Sequence, residues 1–320
     1  VVGTHALVAG SGSFSNLGLV ITDEQHRFGV SQRAKLSQLG NSPHVLVMSA
    51  TPIPRTLALL MYGDLDVSIV DELPPGRQPV DTFLVNESYR SRMNAFVRKQ
   101  AQEGHQCFVV CPAVEENQEL NLKAAETWAE TLQKRVFPDL KVLLLHGQMK
   151  SAEKDAVMSA FARGDGDVLV ATTVIEVGVD VPNATLMIIE DADRFGLSQL
   201  HQLRGRVGRG SAKSYCILTT QNRNVQTLER LKAFCKTNDG FQIAQEDLKL
   251  RGPGDFFGSR QSGLPAFRMG NLGTDLTTLQ QAQQAAVAWI DTQGTGNTPE
   301  AEALRRRISV LFREGGPAMN

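Results

Sequence analysis

The sequence predicts an α/β fold: part of one parallel-sheet domain, then a complete second one, then a helical region that carries a glycine-rich loop. Three observations lead there. Apolar runs bounded by turn residues alternate with amphipathic segments as far as Gln221, the signature of βα units and parallel strands. Leu73-Pro74-Pro75-Gly76-Arg77-Gln78-Pro79 breaks both helix and strand, so it divides that series in two. Beyond Gln221 the apolar spacing becomes helical. The expected domains are therefore 1–75, 76–222 and 223–320.

In the first domain the apolar runs 17–22 and 44–49 read as buried strands, and Pro52 and Pro54 open a helix from Thr56 to Tyr62. After the linker, strands are expected at 106–111, 141–146, 167–172, 184–190 and 214–219. Helices at 88–103, 121–135, 151–163 and 198–203 alternate with them, and five strands make one whole α/β domain. The last region reads as helices at 224–237, 241–249, 274–291 and 299–313, interrupted by Arg251-Gly252-Pro253-Gly254-Asp255-Phe256-Phe257-Gly258.

Composition narrows the class without naming a partner. A hydrophobic fraction of 42% with 21% charged residues is ordinary for a globular protein. The net charge of −1 supplies no bulk attraction for nucleic acid, which only local patches would hold. Cys107, Cys111, Cys216 and Cys235 lack metal-type spacing and read as free, buried thiols of a reducing cytoplasm. The scattered histidines argue against a zinc site. No stretch is long and apolar enough for a membrane span, and no charged-then-apolar leader opens the chain. Val1 stands close to a strand, so the expectation is the carboxyl-terminal piece of a longer polypeptide.

The chemistry concentrates at strand ends. Asp23-Glu24-Gln25-His26 follows the run Leu17 to Thr22, placing two acids at the carboxyl edge where α/β folds hold ligands. One carboxylate suits a magnesium ion bridging phosphate oxygens; its neighbour suits the orientation of a water. Ser49-Ala50-Thr51, after the next strand, supplies small hydroxyls for those acids. Taken alone, the acid pair reads rather as solvated residues at a loop start; the order and spacing of Ser49-Ala50-Thr51 favour the functional reading. No Gly-x-x-x-x-Gly-Lys-Ser/Thr phosphate cradle occurs in the 320 residues.

A second constellation runs from Val168 to Pro182. Gly178 permits close backbone approach, and Asp180 can reach a ribose hydroxyl or simply cap a local turn. His146, ending a strand, reads as a hydrogen-bonded structural histidine. The most specific stretch is Gln199-Leu200-His201-Gln202-Leu203-Arg204-Gly205-Arg206-Val207-Gly208-Arg209-Gly210. Arg206 and Arg209 can be presented together from a helix end, and guanidinium forks spread charge over a transferring phosphoryl group. The plainer alternative is a basic patch that binds phosphates without preference.

In this order the segments resemble the superfamily 2 helicase motor and, more narrowly, the carboxyl-terminal part of the bacterial RecG helicase family. Gly3 to Leu7, Asp23 to Val30, Ser49 to Leu57, Asp71 to Gly76, His146 to Lys150, Thr172 to Pro182 and Gln199 to Gly210 carry the resemblance. Asp239 to Phe241, Asp247-Leu248 and Arg251 to Leu264 favour this family over the transcription-repair coupling factor, which stands as the alternative. The resemblance implies an incomplete RecA-like domain, a complete RecA-like domain, and a helical hairpin with a translocation motif. It implies ATP and Mg2+ as cofactors, branched double-stranded DNA as partner, a monomer, and a cytoplasmic location. It makes Asp23 the magnesium ligand, Glu24 the activator of water, and Arg206 and Arg209 arginine fingers. Gly178, Asp180 and Gln202 would lie near the nucleotide. Thr4, His26, Ser49, Thr51, Arg251, Gly252 and Gln261 would contact DNA or couple it to the motor. The family's phosphate loop and fork-splitting wedge would precede Val1, so the chain by itself is expected to be a noncatalytic, DNA-binding module.

Overall fold

Apolar runs of the parallel-sheet kind need cover on both faces, and in the computed structural model one sheet receives it. The structure describes residues 1–3, 7, 14, 16–23, 43–49, 68–74, 77–112, 118–172, 180–251, 276–293 and 298–314. The chain divides into a unit of Ser68–Asp247 and a unit of Val1–Val67 with Leu248–Asn320.

The first of these units is built on six parallel strands: β3 (Val80–Val85), β4 (Gln106–Val110), β5 (Val142–Leu145), β6 (Val168–Ala171), β7 (Ala184–Ile189) and β8 (Ser214–Thr219). Their order is β3-β8-β7-β4-β6-β5. Helices α1 (Arg90–Gln102), α2 (Gln118–Thr131), α3 (Ser151–Ala162) and α4 (Leu197–Arg204) make the crossovers, with α5 (Val225–Lys236) and α6 (Gly240–Arg251) after β8. A wide turn, Leu132–Val136, extends α2 and closes with Phe137 N donating to Leu132 O at 2.6 Å.

Because successive strand residues face opposite sides, each central strand feeds two cores. Phe108, Val110, Met187 and Ile189 pack with Phe161 of α3, Leu200 of α4 and Phe234 of α5. Cys107, Val109, Leu186 and Ile188 pack on the other face with Val97 of α1 and Leu132. The result is a three-layer helix-sheet-helix arrangement.

β3 is the strand the sequence reading lacked, and six strands replace the expected five. Among the described strands it pairs only with β8, from Val80↔Ser214 to Val85↔Thr219, so it is an edge strand. Its Val-Asp-Thr-Phe-Leu-Val is half solvated, and Phe83 is exposed. An edge strand has no need of the continuous apolar run that marks its neighbours.

In the other unit β1 (Leu19–Thr22) and β2 (His44–Val47) form a parallel pair in register Leu19↔His44 to Thr22↔Val47. Leu19, Ile21, Val45 and Leu46 are exposed, which is unusual for parallel strands. Helices α7 (Leu276–Gln293) and α8 (Pro299–Glu314) also belong to this unit. The expected helix 56–62 and the glycine-rich loop after Arg251 lie outside the described residues.

All four cysteines are free; Cys107 and Cys216 are buried, Cys111 and Cys235 half-buried. Burial pushes every thiol up, Cys235 to about 11 and Cys111 and Cys216 to about 12, so these are thiols rather than thiolates at neutral pH. Among the described residues no helix is long and apolar enough to cross a membrane.

Candidate nucleotide and nucleic-acid site

The arginine segment takes its shape from the apolar face of α4. Leu197, Leu200 and Leu203 are buried along that face, and Val207 is buried just past the helix. Gln202 and Arg206 are left half-buried and Arg209 exposed. Gly205 N closes the helix on His201 O at 2.9 Å. The Gly205 carbonyl, an acceptor at a helix end, then receives two guanidinium donors. Arg77 Nη2 lies 3.1 Å from it and Arg209 Nε also 3.1 Å. Arg209 Nη1 in turn donates to Asp180 Oδ1 at 3.3 Å. Burial and the charge of Arg209 lower the pKa of Arg77, while Asp180 opposes both.

Two glycines let this turn seat against its neighbours. Gly208 has φ +76°, and a Cβ there would stand 2.9 Å from Val80 Cγ2. A Cβ on Gly210 would meet the Pro182 carbonyl at 2.6 Å. The turn therefore sits between the entrance of β3 and the segment that leads into β7.

Arg204 was not a candidate from sequence, yet among the described residues it is the most buried arginine, 3% exposed. It donates to Thr82 Oγ1 at 3.3 Å, Phe234 O at 3.3 Å and Thr237 O at 2.9 Å, and lies 4.2 Å over the Phe234 ring. Carbonyls and a ring face replace water around the cation, tying α4 to the end of α5. A readable signal existed: Arg204 continues the buried row of Leu197 and Leu200, where a charge is out of place. His201 Nδ1 stands 3.4 Å from Arg204 Nη2. Burial first, then the charges of Arg204 and Arg77, push its pKa down to about 4. The imidazole is thus neutral at pH 7, and because arginine only donates, Nδ1 is the acceptor nitrogen.

The carboxyl edge of the sheet holds a second network that sequence reading missed. Glu190, just after β7, receives Arg90 Nη1 at 2.5 Å, Arg90 Nη2 at 2.9 Å and the Thr219 hydroxyl at 2.6 Å. Arg90 also reaches Glu87 and lies 5.5 Å over the Trp128 ring. Next to it Asp191 adopts φ 44°, and burial followed by Asp193 and Glu190 raises its pKa. Partners one hundred residues apart leave no mark in local spacing. Trp128 Nε1 and His146 Nδ1 are buried and have no hydrogen-bond partner.

In the other unit, Thr22 O accepts from Met48 N at 2.8 Å. Asp23 and Ser49 therefore follow adjacent parallel strands at the same sheet edge, both exposed. Arg251 is the last residue of α6. Thr4, Glu24, His26, Thr51, Gly178, Gly252 and Gln261 lie outside the described residues.

Comparison with known proteins places these features in a family. Residues 89–211 match the helicase conserved C-terminal domain, and residues 237–314 match the C-terminal part of domain 3 of the ATP-dependent DNA helicase RecG. RecG of Synechocystis is 54% identical over 89% of this chain and 34% of its own length. RecG of Aquifex aeolicus is 52% identical over 100% of the chain and 40% of its own, and that of Bacillus subtilis 48% over 96% and 45%. The chain thus spans less than half the length of these relatives. A solved structure of RecG bound to a three-way DNA junction superposes with a TM-score of 0.66 at 48% identity, over 87% of this chain and 36% of that one. The six-stranded sheet with its arginine turn and the helices that follow belong to the RecG family, and the chain corresponds to its carboxyl-terminal part.

Proposed function

We propose that the chain is the carboxyl-terminal motor portion of an ATP-dependent double-stranded DNA translocase that remodels branched DNA, such as stalled forks and Holliday junctions. The observation that carries this reading is the arginine turn, where Arg209 is held by Gly205 and Asp180 on a scaffold similar to that of a RecG bound to a three-way junction. We take the three-part division at 75 and 222 as its working architecture, and a cytoplasmic monomer as its state.

The donor set suits ATP with Mg2+. Asp23 is an exposed carboxylate at a parallel-sheet edge, and magnesium is held by one or two carboxylates together with substrate phosphates. Bound there, the ion would neutralise phosphate charge. Arg206 and Arg209 are suited to charge developing on the transferred phosphoryl group, Gln202 and Asp180 to contacting the nucleotide, Gly178 to close approach, and Glu24 to holding the attacking water. Thr4, His26, Ser49, Thr51, Arg251, Gly252 and Gln261 are assigned to DNA contact or coupling. Glu24→Gln in the full-length protein is expected to bind ATP as before and to lose at least about 100-fold in hydrolysis. Turnover at the unmodified rate would remove the catalytic assignment.

A further inference from the structure

The function just argued uses Arg206 and Arg209 and leaves Arg77 without a role. Arg77 belongs to the segment that enters β3, and its guanidinium crosses 128 residues of sequence to reach the Gly205 carbonyl. That oxygen already has a donor in Arg209. Two cations on one neutral acceptor is an arrangement that charge repulsion opposes, and Arg209 does depress the pKa of Arg77. A purely structural need of the carbonyl would be met by one of them.

The same segment touches the turn a second time. The position a Cβ would take on Gly208 is 2.9 Å from Val80 Cγ2 and 3.5 Å from Gln78 O. Residues 77–80 and the arginine turn are thus in register at two points, one polar and one steric. Arg77 N also donates to Pro74 O at 3.2 Å, which continues the contact back into the proline-rich linker.

We propose that Arg77 is a positioning residue for the arginine turn: it holds the Gly205 carbonyl so that Arg209 can leave that oxygen for a phosphate without stranding it. With Arg77 in place, moving Arg209 exchanges one partner for another and leaves no acceptor at the helix end unbonded. Without Arg77, Arg209 is the only side chain on that oxygen among the described residues and is held back from the nucleotide. The linker and the arginine turn are thereby coupled, because a shift of residues 77–79 moves the group that releases Arg209. The inference rests on the reading of Arg209 as a phosphate-facing group.

The test compares ATP hydrolysis by the full-length protein with Arg77→Ala, Arg77→Lys, Arg209→Ala and the Arg77→Ala/Arg209→Ala pair. Arg77→Ala is expected to lower kcat about tenfold with KM within about twofold and the melting midpoint nearly unchanged. Arg77→Lys, which keeps one donor, is expected to recover part of kcat. The pair is expected to be no slower than Arg209→Ala alone, because Arg77 acts through Arg209. Multiplicative losses in the pair, or unchanged kcat in Arg77→Ala, would overturn the proposal while Arg209→Ala remained impaired. Failure of both Arg77 variants to fold would make the residue structural and overturn it too. Full activity in Arg209→Ala would instead remove the reading on which it rests.

Discussion

At His201 burial works against the positive charge, and two nearby guanidiniums add to it. An ordinary imidazole titrates near 6.5, whereas this one is held down to about 4. Between those values the unfolded chain binds a proton that the folded chain refuses. Stability is therefore full above pH 6.5, falls as pH drops through the window, and stops falling below about pH 4. The loss from this one group is about 2 kcal/mol by pH 5 and about 3 kcal/mol at its fullest. Carboxylates titrate through the lower part of the same range, so the effect is read as a difference between proteins. His201→Gln keeps an acceptor for Arg204 but has no proton to gain. Denaturation at pH 7 and pH 5 is expected to show a smaller drop for His201→Gln than for the parent chain. Parallel profiles would mean that the imidazole is already protonated or already solvated.

Among the elements, the turn after α4 is where sequence and geometry meet most tightly. Gly208 combines a left-handed backbone with a Val80 methyl in the place of its absent Cβ. Gly104 has φ +83° and nothing within 4 Å of the same position. Gly104→Ala therefore measures the backbone term alone, about 1 kcal/mol, while Gly208→Ala adds the contact and is expected to lose about 2–3 kcal/mol. Equal losses in urea denaturation would show that β3 yields to the new methyl group. The comparison also marks what was legible in advance. Strands such as Val168–Ala171, buried on both faces, announce themselves as apolar runs. β3 did not, because an edge strand is half polar. That Arg206 and Arg209 follow a helix end in one turn was readable from their glycine-spaced motif. Arg77 and the Arg90–Glu190 pair were not, because their partners lie 128 and 100 positions away and only the fold brings them together; the burial of Arg204 could be read from its row, but its acceptors at Thr82 and Phe234, 122 and 30 positions away, could not.

Over the whole molecule, the groups assigned to one reaction are divided between two units. Asp23 stands at the β1 edge in one, and Arg206 and Arg209 follow α4 in the other. Neither the described edges nor the remaining sequence contains the glycine-rich loop with its lysine that holds β- and γ-phosphates in such motors. Without several backbone donors and that ammonium, a nucleotide triphosphate loses both the affinity and the alignment that phosphoryl transfer requires, and proximity alone is worth many orders of magnitude. Arginines and an acid pair cannot compensate, since they act on charge that develops only once the phosphates are held. The 320-residue chain is therefore expected to release no phosphate from ATP above the level of its own Glu24→Gln variant, with or without branched DNA. That variant is the necessary control, because a contaminating ATPase would be insensitive to it. DNA-stimulated turnover that disappears with Glu24→Gln would show that this chain grips the phosphates by other residues, and the division of labour between cradle, acids and arginine turn would have to be redrawn.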